Sequence, residues 1–429
     1  MSRETLTVTD NRTGNSFDVA IADGAIRASE LAAGLDGGGW GVVLYDPGFP
    51  NTASCRSAIT SVDSERGVLE HGGYRIEDLC AHSTYLELAY LLIHGELPTA
   101  AEYERWMHEI SVRKFVHENV KSFMEGFRYD AHPMAMLAGS VGALSSFYTD
   151  AGDVHDEAAR ELQVLRLLAK LPTLAAYAYR HGEGLPYVLP SDDLSYPANL
   201  LSMMFRMSEL RYAGDPRRER ALDVLLMVHA DHEQSAATTA VRAVGSTSAD
   251  PYAAVAAGVA ALSSPMRGSA DRDVLRMLRR IERPENVPPF LERVRRGEER
   301  LVGFGHFVYR NSDPRAAILR AQLDTVYEDR PGDPLVQVAD ELAGRVEQDE
   351  EFRSRRLFFP NVDLFTGLTY QAIGIPESMF GVMFALARTA GWIAQWREMV
   401  LDPDQGAVRP RQLYVGPLGR SYLPLAQRS

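Results

Sequence analysis

The sequence has few of the features that mark secreted or membrane proteins. It contains only two cysteines, Cys55 and Cys80, which are compatible with core positions in a reducing compartment. A disulfide is neither excluded nor needed in a chain of 429 residues. The longest apolar stretch, around Tyr252–Leu262, is far shorter than the roughly 20 residues of a membrane span. No basic segment followed by an apolar run begins the chain, so we expect a cytoplasmic protein without a membrane role.

Basic surface blocks are also missing. The chain carries 45 Lys and Arg against 58 Asp and Glu, a net charge of −13, and no aromatic-interleaved basic patch offsets it. Such a surface repels nucleic acid, so nucleic-acid binding is disfavoured. The hydrophobic fraction of 45% and the charged fraction of 24% are ordinary for a globular protein of two or three domains.

A small N-terminal β region is predicted over 1–50. Alternating residues at 5–9 and 16–21, separated by an Asn-Arg-Thr-Gly-Asn turn, predict a β-hairpin. A third short strand is expected at Trp40–Tyr45. It follows Gly37-Gly-Gly39, which we interpret as a linker because it lacks the spacing of a phosphate-binding loop.

After Tyr45 the pattern is helical almost throughout. The apolar segment Thr84–His94 ends at Gly95, and Thr99 stands three residues before Glu102, the spacing of a capping box. Further helices are predicted at Leu137–Tyr148, Asp156–Lys170, Pro172–Tyr179, Tyr196–Met207, Arg217–His229, Tyr252–Leu262, Pro314–Tyr327, Leu335–Val346 and Ser378–Trp396.

Two of these helices, Tyr252–Leu262 and Ser378–Trp396, are apolar nearly all round. Such helices belong in the middle of a helix stack or at a subunit interface. The fold class that follows is mostly α, with the small β region at the N-terminus.

Four motifs resemble the citrate synthases, specifically the bacterial, longer-chain type. They are His229-Ala-Asp-His-Glu-Gln, Gly303–Arg315, Asn361-Val-Asp and Ala387–Trp392. The resemblance runs from Tyr45-Asp-Pro-Gly-Phe to Arg409-Pro-Arg-Gln-Leu-Tyr. It implies a large helical domain with a small helical domain inserted in it, an active site in the cleft between them, and a second subunit that completes the site. The domains expected are 51–268 and 381–429 for the large domain and 269–380 for the small one.

The chemistry implied by this resemblance has three requirements. An acyl thioester loses an α-proton, and the carbon nucleophile attacks the ketone of oxaloacetate. A carboxylate must take the proton, one donor must stabilise the enol or enolate, and another must polarise the ketone. Coenzyme A thioester is then a co-substrate, and no permanently bound cofactor is expected. We therefore expect an acyltransferase whose partners are small molecules and copies of itself, as a homodimer or higher homo-oligomer.

Two residues match the family's proton-handling groups. Asp363 corresponds to the general base, although an Asp before an apolar run is also a common helix N-cap. His306 corresponds to the histidine that polarises the ketone, although a histidine beside aromatic residues is often a core residue. Both interpretations of each residue stay open on the local sequence alone.

Arginines are expected to hold the carboxylates, since a guanidinium can bind a carboxylate with two hydrogen bonds. Arg315, Arg388 and, from the partner subunit, Arg409 match the family's citrate-binding arginines, and His232 matches its substrate-binding histidine. Arg388 interrupts an apolar helix, where an unpaired charge is costly, so it binds either substrate or a buried acid. Arg310 matches a position that contacts coenzyme A phosphate, or is a solvated surface residue.

Two other clusters have alternative interpretations. His229, Asp231, His232 and Glu233 lack a convincing third ligand for a metal, so no metal site is expected, and we interpret His229 as a core or supporting residue. A second cluster resembles the NADH inhibitory site of some longer-chain bacterial synthases, although its members are also ordinary surface helix residues. It comprises Arg113, Tyr148, Arg166 and Lys170.

One segment departs from the family pattern. Where the family has Gly-Pro-x-His-Gly-Gly-Ala-Asn, this chain reads Ser-Pro-Met-Arg-Gly-Ser-Ala-Asp from Ser264 to Asp271. Arg267 takes the place of the histidine that donates to the thioester oxygen. Arginine stays protonated at any working pH, so it can stabilise an enolate but cannot shuttle a proton. A fixed cation near Asp363 would also lower the pKa of that base.

Three hypotheses follow from Arg267. The chain is a condensing enzyme with an altered acyl donor or enolisation step, or an ordinary citrate synthase that tolerates the arginine. Alternatively, it is a non-catalytic paralogue that binds ligand or forms mixed oligomers with an active synthase. The retention of His232, His306, Arg315, Asp363 and the other predicted arginines favours a working keto-acid site.

Overall fold

The structure, a computed structural model, describes residues 4–36, 42–209, 211–263, 270–328 and 333–428. The chain divides into two compact units. One comprises Met1–Arg56 together with Val408–Ser429, and the other is Ser57–Ala407. The predicted division of the helical part into a large domain and an inserted small domain stays a prediction.

The first unit contains a three-stranded sheet and one helix. The strands β1 (Thr5–Asp10), β2 (Asn15–Ala22) and β3 (Ala25–Ile26) are antiparallel in that order, and α1 (Ala28–Asp36) follows. The predicted hairpin is confirmed. The predicted third strand at 40–45 is wrong for 42–45, which have no regular structure, because the chain instead folds β3 back on β2; residues 40 and 41 lie outside the described residues.

The second unit begins with a sheet that the sequence analysis missed. The strands β4 (Thr60–Asp63), β5 (Val68–His71) and β6 (Tyr74–Arg75) are antiparallel. Thr60 of β4 stands directly opposite His71 of β5. Strands of two to four residues are too short for alternation to identify them.

The rest of the second unit is helical, which confirms a mostly α protein. Within the described ranges, no helix combines the length and the apolar character that crossing a bilayer requires. The helices are α2 (Ile76–His82), α3 (Tyr85–His94), α4 (Ala100–Ser111), α5 (Glu118–Glu125), α6 (Pro133–Leu144), α7 (Glu157–Gly182), α8 (Tyr196–Phe205), α9 (Pro216–Val228), α10 (Ala236–Gly245), α11 (Pro251–Leu262), α12 (Ala270–Ile281), α13 (Val287–Arg295), α14 (Pro314–Val326), α15 (Pro334–Glu347), α16 (Glu350–Ser354), α17 (Val362–Ile373) and α18 (Phe380–Leu401).

Local signals set several helix ends. Thr99 accepts the N–H of Glu102 and the Glu102 side chain accepts the N–H of Thr99, so the predicted capping box at the start of α4 is confirmed. Gly95 ends α3 with φ +88°, a conformation that glycine adopts without steric cost. Asp313 caps α14, and its side chain accepts the N–H of Arg315.

The predicted helix break at Pro172 is wrong. The two expected helices form one helix, α7, of 26 residues with Pro172 inside it. Proline has no N–H to donate to the carbonyl of Leu168, four residues earlier. The hydroxyl of Tyr196 donates to that carbonyl at 3.0 Å instead, so the helix continues with the carbonyl satisfied.

Helix α18 forms the centre of the second unit. It packs against α3, α7, α9, α10 and α11. Trp392 and Trp396 on it are completely buried, and α11 packs against α6, α10 and α18 with one face buried and Ala260 exposed. The expectation of a place inside a helix stack is confirmed for α18, whereas the choice between a stack and a subunit interface stays open for α11.

Candidate active site

The loop that carries His306 is fixed by its glycines. Gly303 and Gly305 have φ values of +85° and +65°. A Cβ at Gly305 would lie 2.3 Å from the carbonyl oxygen of Arg356, which is too close for any side chain. The Asn361 side chain donates to the carbonyl of Gly305 at 2.7 Å. The loop is therefore held against the segment that enters α17.

Backbone contacts fix the protonation of the His306 ring. Its Nδ1 atom accepts the N–H groups of Val308 at 3.0 Å and Tyr309 at 3.2 Å. A neutral imidazole has one acceptor nitrogen, so its proton is on Nε2. The Nη2 atom of Arg315 lies 3.4 Å from that Nε2. Both groups are donors, and a ligand oxygen between them can accept from both.

Arg315 is held in place by Asp313. Its Nε and Nη2 atoms each donate to one oxygen of Asp313 at 2.9 Å. Asp313 also accepts the N–H of Val362 at 3.0 Å. The two side chains are almost fully buried, at 3% and 4% residue exposure. This pair links the starts of α14 and α17, so the guanidinium beside His306 is rigidly positioned.

His232 follows α9 and lies beside the same loop. Its Nε2 atom is 3.2 Å from the hydroxyl of Tyr309, and its ring centre is 5.4 Å from that of His306. Burial, together with the charges of Arg315 and Arg388, holds the pKa of His232 well below its usual range. The ring is therefore neutral at physiological pH and can donate one hydrogen bond and accept another.

A close approach of α18 positions Arg388. The N–H of Gly391 donates to the carbonyl of Ala230 at 3.1 Å, and a Cβ at Gly391 would lie 2.3 Å from that oxygen. One turn earlier, Nε of Arg388 donates to the carbonyl of His229 at 2.5 Å. The guanidinium stacks over Phe384 at 4.7 Å from the ring centre. Arg388 is 4% exposed, so its charge is directed into the interior.

Asp231, which interacts electrostatically with Arg388, belongs to a buried hydrogen-bond network. Asp231 accepts a hydrogen bond from the hydroxyl of Thr60 at 2.6 Å, and that hydroxyl also lies 2.9 Å from Nδ1 of His71. Burial raises the pKa of Asp231, and the charge of Arg388 opposes that rise. The buried-acid interpretation of Arg388 therefore keeps its support, alongside substrate binding.

His229 is a core residue in this structure. Its ring is completely buried, packs against Phe384, and has Nε2 3.3 Å from the hydroxyl of Thr366. Burial and the charges of Arg315 and Arg388 lower its pKa strongly. Among the residues described, no three His, Cys, Asp or Glu side chains are grouped so that they could hold a metal ion.

Asp363 is not the N-cap of α17. The cap is Asn361, whose side chain accepts the N–H of Asp363 at 3.0 Å, so Asp363 is the second residue of the helix. Its carboxyl interacts electrostatically with that of Asp271 on α12. Burial and the negative charge of Asp363 raise the pKa of Asp271 well above its usual range. The charges of Arg315 and Asp363 also interact.

Arg310 lies at the surface with an acidic partner. More than half of its side chain is exposed, and it forms an ion pair with Glu65. The backbone N–H of Arg310 donates to Ser64, and Asn311 donates to the carbonyl of Glu65. A coenzyme A phosphate at Arg310 would have to compete with Glu65.

Two predicted site residues are not placed among these groups. Arg267 lies outside the described residues. Arg409 belongs to the first unit, where it is exposed. Their roles stay predictions.

The residues predicted to bind NADH lie close together, and they contact each other and Asp150. The guanidinium of Arg166 lies 4.1 Å from the ring centre of Tyr148 and forms an ion pair with Asp150 at 2.8 Å. Lys170 donates to the carbonyl of Arg113 at 2.5 Å. Burial and the nearby arginines lower the pKa of Lys170 to about 8. NADH binding here stays a prediction.

Several supporting residues were missed in the sequence. Asp313 could have been found, because it precedes Arg315 by two residues at a predicted helix start. Tyr309 stands inside the recognised motif, between His306 and Arg315. His71 carried no signal, since a single histidine at the end of a four-residue strand does not indicate which distant residues it meets.

Comparison with known proteins gives consistent matches along almost the whole chain. The family model "Citrate synthase, C-terminal domain" matches residues 48–411. A citrate synthase of Dictyostelium discoideum is 43% identical over 99% of this chain and 85% of that protein. A peroxisomal citrate synthase of the same organism is 44% identical over 99% of this chain and 88% of that protein.

Solved structures agree with this result. A citrate synthase from Pyrobaculum aerophilum superposes with a TM-score of 0.83 at 34% identity, covering 91% of this chain and 98% of that one. A citrate synthase from Thermoplasma acidophilum, solved as a ternary complex with carboxymethyl coenzyme A and oxaloacetate, gives 0.80 at 28% identity. It covers 89% of this chain and 99% of that one.

Proposed function

The chain belongs to the citrate synthase family, and we propose that it condenses acetyl-CoA, or an altered acyl-CoA donor, with oxaloacetate or a close 2-keto acid. The observation that carries this proposal is the pair of donors formed by His306 and Arg315. Their nitrogen atoms stand 3.4 Å apart, and both can donate to an oxygen bound between them. A keto acid has such an oxygen next to a carboxylate.

Each step has a candidate group in this chain. Asp363 takes a proton from the α-carbon of the thioester, and the electron pair of that C–H bond forms an enolate. The carbon then attacks the ketone, whose oxygen accepts a hydrogen bond from Nε2 of His306 and takes up a proton from water, while Asp363 returns its proton to water. Water cleaves the thioester and releases the coenzyme A thiol. Arg315, Arg388 and Arg409 hold the carboxylates, and His232 binds the substrate beside them.

The enolisation step is where this chain differs from its family. Arg267 occupies the position of the family's enol-stabilising histidine, and we expect its permanent charge to stabilise an enolate or to bind an anionic group of a different acyl donor. Loss of one such donor typically slows a reaction by about 10² to 10³. Activity with acetyl-CoA therefore depends on whether Arg267 replaces that donor.

Thiol release from acetyl-CoA and oxaloacetate tests the proposal, measured side by side on the native protein and on Arg267→His. Native activity would support the family reaction with arginine in the enolisation step. Silence in the native protein and activity in the variant would locate the change at that step and direct a screen of other acyl-CoA donors. Silence of both proteins with every donor would contradict the proposal.

Arg267 is also the specific observation behind a second candidate, a non-catalytic paralogue that binds ligand or joins an active synthase. Titration calorimetry with oxaloacetate is a partial test. Absence of binding would remove both enzyme hypotheses, whereas binding is compatible with an enzyme and with a ligand-binding paralogue. Co-purification with an active synthase subunit, combined with no turnover, would favour the paralogue.

Assembly and compartment are parts of the same proposal. We expect a homo-oligomer in which Arg409 of one subunit completes the site of another. The composition favours the cytoplasm, whereas one relative carries the word peroxisomal in its name. Cell fractionation with an antibody against the chain would decide the compartment.

A further inference from the structure

The ring of Tyr309 lies among three of the groups predicted to hold the keto acid. Its centre is 5.5 Å from that of His232 and 4.9 Å from that of His306. The guanidinium carbon of Arg315 lies 5.6 Å from the same centre, within the range of a cation–π contact. Tyr309 is 2% exposed, whereas Phe307 in the same loop is 92% exposed. The loop therefore directs Tyr309 inward and Phe307 outward.

Backbone hydrogen bonds hold the loop at Tyr309. Its own N–H donates to Nδ1 of His306 at 3.2 Å. The N–H of the next residue, Arg310, donates to the carbonyl of Ser64 at 3.0 Å. Neither bond involves the side chain of Tyr309, so a change confined to its hydroxyl leaves both of them in place.

The hydroxyl of Tyr309 contacts His232. It lies 3.2 Å from Nε2 of that ring, its only hydrogen-bond partner among the residues that the structure describes. If Nε2 carried the ring proton, it would donate to the phenol oxygen, and the buried phenol proton would lack an acceptor, which costs free energy. If the phenol donates to Nε2 instead, both groups are satisfied and the ring proton is on Nδ1.

The surroundings of both side chains favour the second arrangement. Burial, with the charges of Arg315 and Arg388, lowers the pKa of His232 well below its usual range, so the ring is neutral and has one acceptor nitrogen. Burial raises the pKa of Tyr309, so the phenol keeps its proton. With Nε2 accepting from Tyr309, Nδ1 is the one ring nitrogen from which His232 can donate to a ligand.

We propose that Tyr309 is a positioning residue whose hydroxyl donates to Nε2 of His232 and keeps the ring proton on Nδ1, which donates to an oxygen of the keto acid. This inference rests on the proposed function. Tyr309 transfers no proton in the reaction. Its hydroxyl acts on His232 and its backbone N–H acts on His306, so one residue sets the protonation of both histidines through two separate groups.

The variant Tyr309→Phe tests this role, because it removes the hydroxyl and keeps the backbone N–H that holds His306. We expect the KM for oxaloacetate to rise about 5- to 10-fold, because only a fraction of the His232 rings then carries its proton on Nδ1. The kcat should stay within about 3-fold of the native value, since His306 keeps its donor. An unchanged KM, or a fall in kcat without a change in KM, would overturn the proposal.

Tyr103→Phe is the matched control. The hydroxyl of Tyr103 also has one hydrogen-bond partner among the described residues, Oγ1 of Thr84 at 2.7 Å. That bond joins α4 to the start of α3, and neither helix carries a predicted site residue. The control should keep the native KM and kcat. A similar rise in its KM for oxaloacetate would overturn the assignment to Tyr309, and thermal melts identify any variant that fails to fold.

Two replacements of His232 report which ring nitrogen donates. The amide of asparagine can place an N–H near the position of Nδ1, whereas the longer glutamine places it near that of Nε2. We expect His232→Asn to bind oxaloacetate about 10-fold more tightly than His232→Gln in titration calorimetry. Equal affinities, or tighter binding by His232→Gln, would overturn the placement of the proton on Nδ1.

A spectroscopic measurement needs neither turnover nor substrate. Nitrogen NMR of protein with isotope-labelled histidine distinguishes protonated from unprotonated ring nitrogens, and His232→Asn identifies the signals of His232. Nε2 should be unprotonated in the native protein and partly protonated in Tyr309→Phe. A protonated Nε2 in the native protein would overturn the proposal. The expected signals in a protein that does not bind oxaloacetate would instead leave the bond between Tyr309 and His232 standing and refute the proposed function.

Discussion

The Nη2 atom of Arg315 lies 3.4 Å from the Nε2 atom of His306, and the loop backbone occupies Nδ1 of His306, so that Nε2 carries the ring proton and both nitrogens are donors. A ligand oxygen can accept from both nitrogens, so the pair favours ligands that present an acceptor there. The relationship explains why Val308 and Tyr309 matter, since their N–H groups fix the ring.

Replacing His306 by alanine should lower kcat by about 10² to 10³, because one preorganised donor to the ketone oxygen is lost. Oxaloacetate binding should weaken less, since the arginines remain. Steady-state thiol release and calorimetry measure the two effects. Phe307→Ala is the control, because that neighbouring side chain is 92% exposed and its truncation should change neither value. A normal kcat in the His306 variant would remove this residue from the mechanism.

Replacing Gly391 by alanine should destabilise the protein by about 1 to 3 kcal/mol, because the new Cβ would meet the carbonyl of Ala230. The shift of α18 should also weaken oxaloacetate binding through Arg388. Urea denaturation and calorimetry report both quantities. Gly344→Ala in α15 has nothing within 4 Å of its Cβ and should stabilise the protein by about 0.5 to 1 kcal/mol. Equal effects of the two substitutions would contradict the packing argument.

The buried ring of His71 predicts how stability depends on pH. Burial, with the charges of Arg388 and Arg315, lowers its pKa from 6.5 to about 3. Between these pH values His71 binds a proton in the unfolded state but not in the folded state. The free energy of unfolding therefore decreases as the pH falls from 6.5 towards 3. Between about pH 7 and about pH 4 this single group accounts for a loss of about 3 kcal/mol.

The variant His71→Asn should reduce that loss by the same amount, because it cannot titrate but keeps an N–H for Thr60. Urea midpoints at the two pH values give the comparison. His155→Asn is the control, because its ring is exposed and the pH dependence should match that of the native protein. If His71→Asn retains the full pH dependence, another group must carry it.

Two buried tyrosines should respond oppositely to loss of their hydroxyl groups. Tyr85 donates to the carbonyls of Leu386 and Ala387 at 3.0 Å, and Tyr85→Phe should cost about 1 to 3 kcal/mol. The hydroxyl of Tyr370 has no partner among the described residues, and Tyr370→Phe should be neutral or stabilise by about 1 kcal/mol. Chemical denaturation measures both. A clear loss in Tyr370→Phe would indicate a partner outside the described ranges.

The shared-site proposal for Arg409 can be tested by mixing inactive subunits. Arg409→Ala and Asp363→Ala should each abolish most activity alone. If Arg409 acts across subunits, dimers that contain one of each variant regain one intact site, and random mixing should restore about a quarter of native activity. Co-expression with two affinity tags measures this value. No recovery in purified mixed dimers would mean that Arg409 acts within its own subunit, and normal activity of Arg409→Ala alone would mean that it has no role.

Much of the fold was predictable because its signals are local. Thr99 and Glu102 define the start of α4 by themselves, and Gly95 ends α3 for a reason intrinsic to glycine. Pro172 was misjudged because the compensating hydroxyl of Tyr196 lies in another helix, which a local rule does not consider.

The site was predictable only in part. The motif from Gly303 to Arg315 placed His306 and Arg315 together, as the structure shows. The meeting of Thr60 with Asp231 depends on packing between parts of the chain that are far apart in the sequence. No periodicity or spacing encodes such contacts.

Because of Pro172 in α7, the residues tolerated at positions 172 and 196 depend on each other. With Pro172 present, the carbonyl of Leu168 depends on the hydroxyl of Tyr196. A relative with another residue at 172 satisfies that carbonyl within its own helix and no longer needs a hydroxyl at 196. We therefore expect the two positions to covary among homologous chains, and the double replacement by alanine and phenylalanine to be tolerated better than Tyr196→Phe alone.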